Sequence, residues 1–402
     1  VDPVSPLPAL AALIAALATV YSIVKIFGAP PPLGRYLPID GLRGYLAFCV
    51  FLCHACVWYS FLRDGKWLNP PSNLYTHFGQ SGVMLFFMIT GFLFFSKLLD
   101  ARNRSIDWGR LFVSRFLRLV PMYLFVMLLL FAIVAVLSGG TLREPVSQLA
   151  VDALRWLGFT IYGVPDLNGV EGTSHIVASV TWSLRYEWPF YFALPLMALL
   201  LRLRPPLRYI AFGAVATAIC VYPMPPAWIF PAQAFLGGIA ASLLARLDAF
   251  RRWAQTPFAA IAIVVLLGVV IVVFPTAFDW RPLALLGVAF SLIAGGNTLF
   301  GALTNRVSRT LGEMAYSIYL LHGIVLFVLF TFVLGADRAK GMTAAQHWGV
   351  LVAVTPLLIA ICYITFRCIE HPAMHSTDAV TASLRAKLRS RAKNVTARSA
   401  VG

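Results

Sequence analysis

Arg43 and His54 stand with ten residues between them in one apolar stretch, IDGLRGYLAFCVFLCHACVW (39–58). On a helix, eleven steps of 100° return the two side chains to within about 20° of one face, about 16 Å apart along the axis. Ionisable groups are costly inside a bilayer, so such a stripe marks a functional site by default. A second histidine, His322 in AYSIYLLHG, lies ten residues past Gly312 and is expected at the same depth as His54, near the membrane midplane. Glu187, in TWSLRYEWPFYF, is expected a few residues below the outer face. A buried histidine is a standard general base for a hydroxyl; the structural alternative is a hydrogen bond between helices. Arg43 follows Asp40, which reads as an N-cap. It either snorkels as a positive anchor or clamps an anionic, phosphorylated donor.

The elements that must position these groups are membrane helices. Of 402 residues, 60% are hydrophobic and 12% charged, and apolar stretches long enough to cross about 30 Å of hydrocarbon recur from end to end. Spans are expected near 43–63, 81–99, 119–137, 183–201, 208–222, 229–246, 256–274, 282–300, 312–335 and 346–366, with one more apolar stretch near 8–27. The expected fold is an all-α polytopic bundle of about ten transmembrane helices plus an N-terminal helix. Its parts are 1–34 (helix and linker), 35–372 (transmembrane domain) and 373–402 (basic tail). The 8–27 stretch lacks a basic n-region and is not read as a signal peptide.

Lysine and arginine set the orientation. Alternate loops, the tail, Lys25, Arg35 and Arg43 carry 24 of them, and the opposite loops carry 8. By the positive-inside rule the basic side and the C-terminus are cytoplasmic. The net charge of +16 is mostly this bias and needs no nucleic acid to explain it. The tail (385–398) is expected to be solvated and disordered, with contact to anionic headgroups as the alternative. The basic run 100–118 is expected to lie in the interface before turning into a span at Pro121. The segment 138–181 is long enough to lid an outward cavity. Six cysteines sit in or beside spans, which argues against a disulfide framework. His54 points about 100° away from Cys53, so Cys49, Cys53, His54 and Cys56 make a poor metal set.

Six motifs then fall in order: Arg43 and His54 in IDGLRG…CH; GVMLFFMITGF (82–92), with Thr90 where a serine is common; SRFLRLVPMY, carrying Arg115, Arg118, Pro121 and Tyr123; WSLRYEWPFY (182–191), with Trp182, Ser183 and Glu187; YSIYLLH (316–322); and IEHP (369–372). Together, from about Tyr36 to Pro372, they resemble the acyltransferase-3 family of integral-membrane acyltransferases. One departure is that Glu187 is followed by Trp188 and Pro189, where many members carry a second acid.

The resemblance implies transfer of an acyl group, usually acetyl, from cytoplasmic acyl-CoA to a hydroxyl. The acceptor would be a surface polysaccharide or lipid-linked glycan, or alternatively a macrolide-like small molecule. It further implies a bacterial cytoplasmic membrane and no tightly bound cofactor or metal, with acetyl-CoA as donor substrate. In that picture His54 is base or acyl relay, and Arg43 orients the donor. Arg115 and Arg118 hold phosphate, and Glu187 and His322 shape the acceptor side. Tyr123, Trp182 and Ser183 are further candidates for substrate contact. With no fused soluble domain in this sequence, the membrane domain is expected to complete the transfer alone. A proton-coupled transporter is the alternative from another class, and a non-catalytic scaffold leaves the Arg–His stripe unexplained.

Overall fold

Inside hydrocarbon a backbone must satisfy its own hydrogen bonds, which leaves helices as the solution for apolar stretches of this length. The computed structural model describes residues 2–29, 36–102, 105–225 and 229–399. Arg35, Arg104 and most of the expected linker lie outside the described residues. Among the described residues there is no strand, only an isolated bridge between Leu167 and Val170.

The helices are α1 (Pro6–Phe27), α2 (Leu37–Asp64), α3 (Asn73–Asp100), α4 (Trp108–Leu137), α5 (Val146–Leu157), α6 (Thr173–Ile176) and α7 (Leu184–Leu200). They continue with α8 (Leu207–Val221), α9 (Ala234–Leu244), α10 (Asp248–Ala254), α11 (Pro257–Val273), α12 (Trp280–Ala294) and α13 (Arg306–Glu313). The last five are α14 (Ala315–Val328), α15 (Ala336–Lys340), α16 (Ala344–Thr365), α17 (His371–His375) and α18 (Thr377–Ser399). Side chains cap several of them: Asp107 accepts from the Arg110 amide, and Thr343 and Gln346 form a capping box.

Every apolar stretch expected to span is helical, but not all at full length. Six helical segments are long and apolar enough to cross: α1, α2, α3, α4, Ala315–Val333 and Ala344–His375. The stretch expected at 229–246 is the first arm of a bent pair, Phe230–Leu244 with Asp248–Ala254, that turns through 107°. The other four (α7, α8, α11 and α12) have 15 to 17 residues, or about 22–26 Å at 1.5 Å per residue.

α2 is the central rod, packed by α3, α13 and α14. Its start nests against α13, where a Cβ on Gly312 would lie 1.8 Å from the Asp40 carbonyl oxygen, so only glycine allows this approach. The basic end of the bundle holds the start of α2, the end of α3 and the start of α4. There Arg246 bonds Asp100 at 2.6 Å, and Arg385 of α18 bonds Asp107. At the opposite end, Tyr75 and Trp348 donate to the carbonyls of Ser5 and Pro3, so α1 begins there.

Three expectations change. Asp40 is not a cap, because α2 begins at Leu37 and holds Asp40 in its first turn. The 108–118 run is not a separate interfacial helix; α4 runs unbroken through Pro121, its apolar side packing continuously from Trp108 to Val134. The tail is helical to Ser399 rather than disordered, and its start is pinned by Asp378 to Arg110 at 2.5 Å.

Candidate active site

The site begins with a cavity of about 370 Å³ at the basic end, among α2, α3, α4, α7, α13 and α14. Arg43 enters it from α2, one and a half turns past the helix start. Arg115 and Arg118 enter from α4, three residues apart and therefore on one face. Glu187 enters from α7 and accepts a hydrogen bond from Tyr191 Oη at 2.8 Å; Tyr191 also reaches Thr90 and Arg115. Asp40 and Glu313 line the same wall. Behind it, Arg118 pairs with Glu370 at 3.5 Å, the side chains 9% and 0% exposed, and Ser317 donates to Glu370. Three guanidiniums thus face three carboxylates in the lining, with a fourth carboxylate behind. Such a cavity fixes polar, neutral groups with oriented donors and acceptors. It is not a bare anion trap.

Glu187 is deep because the chain before it dips into the bundle. Residues 177–183 are buried but for Ser179 and Trp182, which keep part of their surface, and α7 starts only at Leu184. A Cβ on Gly323 of α14 would stand 2.3 Å from the Val177 carbonyl carbon. Ala178 and Ser179 take left-handed conformations, φ 49° and 56°, a strained pair held by the Ser179 amide on the Ser174 carbonyl. Tyr319 ties down the end of the dip, its hydroxyl 3.0 Å from the Val180 carbonyl and 2.8 Å from Ser183 Oγ. The expectation that Glu187 lies just under the outer face is therefore corrected. The re-entrant segment carries it down to the arginines.

Beyond Tyr319, His322 Nδ1 lies 2.9 Å from the Ile318 carbonyl, and its Nε2 lies 3.0 Å from His54 Nδ1. A carbonyl only accepts, so a neutral His322 carries its proton on Nδ1 and accepts on Nε2. His54 must then carry its proton on Nδ1, which leaves the Nε2 lone pair free. The rings stack at 5.1 Å and 23°. His322 is fully buried, whereas His54 keeps part of its surface. On its other side Trp67 stacks at 6.1 Å, and His175 stacks on Trp67 at 4.7 Å. Half-burial holds the His175 imidazole below its ordinary pKa against the pull of Asp166. Arg43 and the His54–His322 pair are thus two polar stations on one face of α2, about 16 Å apart along its axis.

Residues 36–367 match the family described as an acyltransferase domain. The chain belongs to the acyltransferase-3 family. It is 28% identical over 331 residues to the acyltransferase MdmB of Streptomyces mycarofaciens, covering 74% of this chain and 80% of that protein. It is also 29% identical over 188 residues to nodulation protein 10 of Rhizobium leguminosarum bv. viciae, covering 45% of this chain and 47% of that one. No solved structure matches. The protein is thus an acyl-transferring enzyme of the membrane.

Within this acyltransferase the expected residues divide into two groups. Arg43, Arg115, Arg118, Ser183 and Glu187 share the cavity, and His54 and His322 form the pair above it. Tyr123 joins neither, because its buried hydroxyl donates to the Trp156 carbonyl at 2.6 Å and its ring stacks on Phe159. Trp182 packs edge-on against Phe87, Tyr186 and Phe278. Sequence reasoning assigned no role to Glu313, Tyr191, Tyr319 or Glu370. Tyr191, Tyr319 and Glu370 stand inside quoted motifs, so the signal is present; a partner for each is not. Among the described residues no group of three His, Cys, Asp or Glu is placed to hold a metal.

Proposed function

We propose that this acyltransferase moves an acyl group, acetyl in the simplest case, from acyl-CoA on the cytoplasmic side to a hydroxyl of a surface polysaccharide or lipid-linked glycan. The basic end, with the C-terminus, faces the cytoplasm of a bacterial inner membrane. The observation that carries this reading is the hydrogen-bond chain Ile318 carbonyl–His322–His54, which leaves His54 Nε2 as a base. Arg43 and Arg115 orient the donor arm, and Arg118, tied to Glu370, positions them. The acceptor hydroxyl gives its proton to His54 Nε2, and its oxygen attacks the thioester carbonyl. The C–S bond breaks, and the thiolate recovers the proton from the same nitrogen. CoA and acyl-CoA act as substrates, with no resident cofactor.

Release of free CoA from acetyl-CoA by purified protein in nanodiscs, wild type beside His54→Ala, tests the proposal. Release that vanishes in the variant supports it. Absence of both acetyl-CoA binding and turnover in the wild type overturns it in favour of a carrier.

A further inference from the structure

The last apolar segment ends in a turn that the acyl step does not use. Helix α17 runs only from His371 to His375, and its two histidines stand four residues apart on one face. His375 Nε2 lies 2.9 Å from His371 Nε2, with the ring centroids 4.1 Å apart and the planes at 63°. His375 is exposed, and His371 keeps part of its surface. Among the described residues neither ring makes another hydrogen bond. Two neutral imidazoles in this contact share one proton, so one Nε2 donates and the other accepts.

Histidines at i and i+4 on one helix face are suited to chelate a metal ion. Bonds of about 2.0–2.1 Å to two nitrogens 2.9 Å apart meet at the ion at about 90°. That is the cis angle of a square-planar or octahedral ion; a tetrahedral one asks the nitrogens to part to about 3.3 Å. Loading needs no net loss of a proton. The donor ring moves its proton from Nε2 to Nδ1 through solvent, and both Nε2 lone pairs are then free for the ion. Of the charges that reach His371, Arg367 opposes a cation and Glu313 favours one. Selection therefore falls to the imidazoles, which suit zinc, copper and nickel rather than magnesium or calcium. Between the two histidines stands Met374, which lines the arginine cavity. Its Sδ lies 2.8 Å from Arg118 Nη1, the atom that also faces Glu370 at 3.5 Å.

We infer that His371 and His375 take a divalent transition-metal ion of the zinc, copper and nickel class, beside the arginine cavity. The two imidazoles are the protein's ligands, and water completes the shell. The ion ties the residues on either side of Met374 and holds its sulfur against Arg118. In the proposed reaction Arg118 positions Arg43 and Arg115, and a fixed Met374 keeps it from yielding to the donor, so the loaded enzyme is slower. That slowing rests on the proposed reaction; the metal site does not.

The test is binding of Cu²⁺ and Ni²⁺ to the full chain in nanodiscs, stripped with EDTA and carrying no histidine tag. The wild type should bind one Cu²⁺ tightly, with the electron paramagnetic resonance splitting of an ion bonded to two nitrogens. His375→Ala should weaken binding by about a hundredfold or more, the loss of an intramolecular second ligand. His54→Ala should leave binding unchanged, and Mg²⁺ should not compete. Ni²⁺ should slow amide exchange over 366–376 and CoA release in the wild type, and neither in His375→Ala. Binding that survives His375→Ala, or that His54→Ala removes, overturns the site. Binding that leaves exchange over 366–376 unchanged overturns the clamp on Met374, and unchanged CoA release overturns the slowing. A wild type that releases no CoA without metal sinks the acyl-CoA reading alone, because binding and exchange are read without turnover.

Discussion

His54 has one nitrogen committed to His322, and the proposed reaction uses the other. Replacing His322 by leucine removes the acceptor that fixes the tautomer. We expect kcat to fall by about 10²–10⁴ with the KM for acyl-CoA unchanged. Glutamine at 322, whose amide oxygen can accept from His54 Nδ1, should recover part of the loss; steady-state kinetics with both variants decides this. Arg118 and Glu370 make a different prediction. Glu370→Ala leaves a buried guanidinium without its partner and should cost about 3–5 kcal/mol, read as a lowered melting temperature in detergent. Arg118→Met with Glu370→Leu should regain most of that stability without regaining activity. Residue types and depth made His54, His322 and the arginines legible in the sequence. Their partners were not legible, because a hydrogen bond across 268 positions, as between His54 and His322, leaves no local signal.

At the scale of elements, apolar length announced the helices of the expected spans and said little about where the short ones stop. Glu187 shows the cost. A stretch at 183–201 reads as a full span, yet the chain is already deep in the bundle at Val177, and α7 needs only 17 residues to leave it. Gly323 is the hinge of this arrangement, and Gly323→Ala would drive a methyl into the Val177 backbone. We expect a loss of about 1–3 kcal/mol, the usual cost of overpacking, together with reduced CoA release as Glu187 shifts. Thermal unfolding and activity of the same sample measure both. Glu370 escaped a role for a related reason. It closes a π-helical turn, Phe366–Glu370, and one wider turn rotates every following side chain out of the 3.6-residue pattern that a sequence reader assumes.

For the whole molecule, α18 is fastened at the basic end by exposed ion pairs and α1 at the opposite end by part-buried hydrogen bonds. Helix α18 docks on α4 through Arg385–Asp107 and Arg110–Asp378. Partial burial opposes the Asp107 charge, but the Arg110 amide and the Arg385 guanidinium outweigh it and hold its pKa below the ordinary 3.8. The Arg110 hydrogen bond does the same for Asp378. A depressed carboxylate contributes above its unfolded pKa and is lost as pH falls through the folded one. Docking should therefore be constant from pH 5 to 8, as about 1 unit or more above 3.8 requires, and fail only in stronger acid. Salt should loosen it at any pH. Hydrogen–deuterium exchange over 377–388, at low and high ionic strength, checks the second expectation directly.

The hydrogen-bond chain behind His54 ends on the Ile318 carbonyl, which has no proton to pass on and no base beyond it. A proton that arrives on His54 Nε2 must leave by the same atom. If the hydroxyl comes from one face and the thiol departs to the other, every turnover carries one positive charge across the dielectric while the acyl group travels the other way uncharged. The enzyme would then be electrogenic, and its rate would feel the membrane potential, which is worth about 2.3 kcal/mol per charge per 100 mV. In proteoliposomes held negative on the arginine side, transfer should run faster than in depolarised ones. Equal rates in both would mean that the proton returns to the side from which it came.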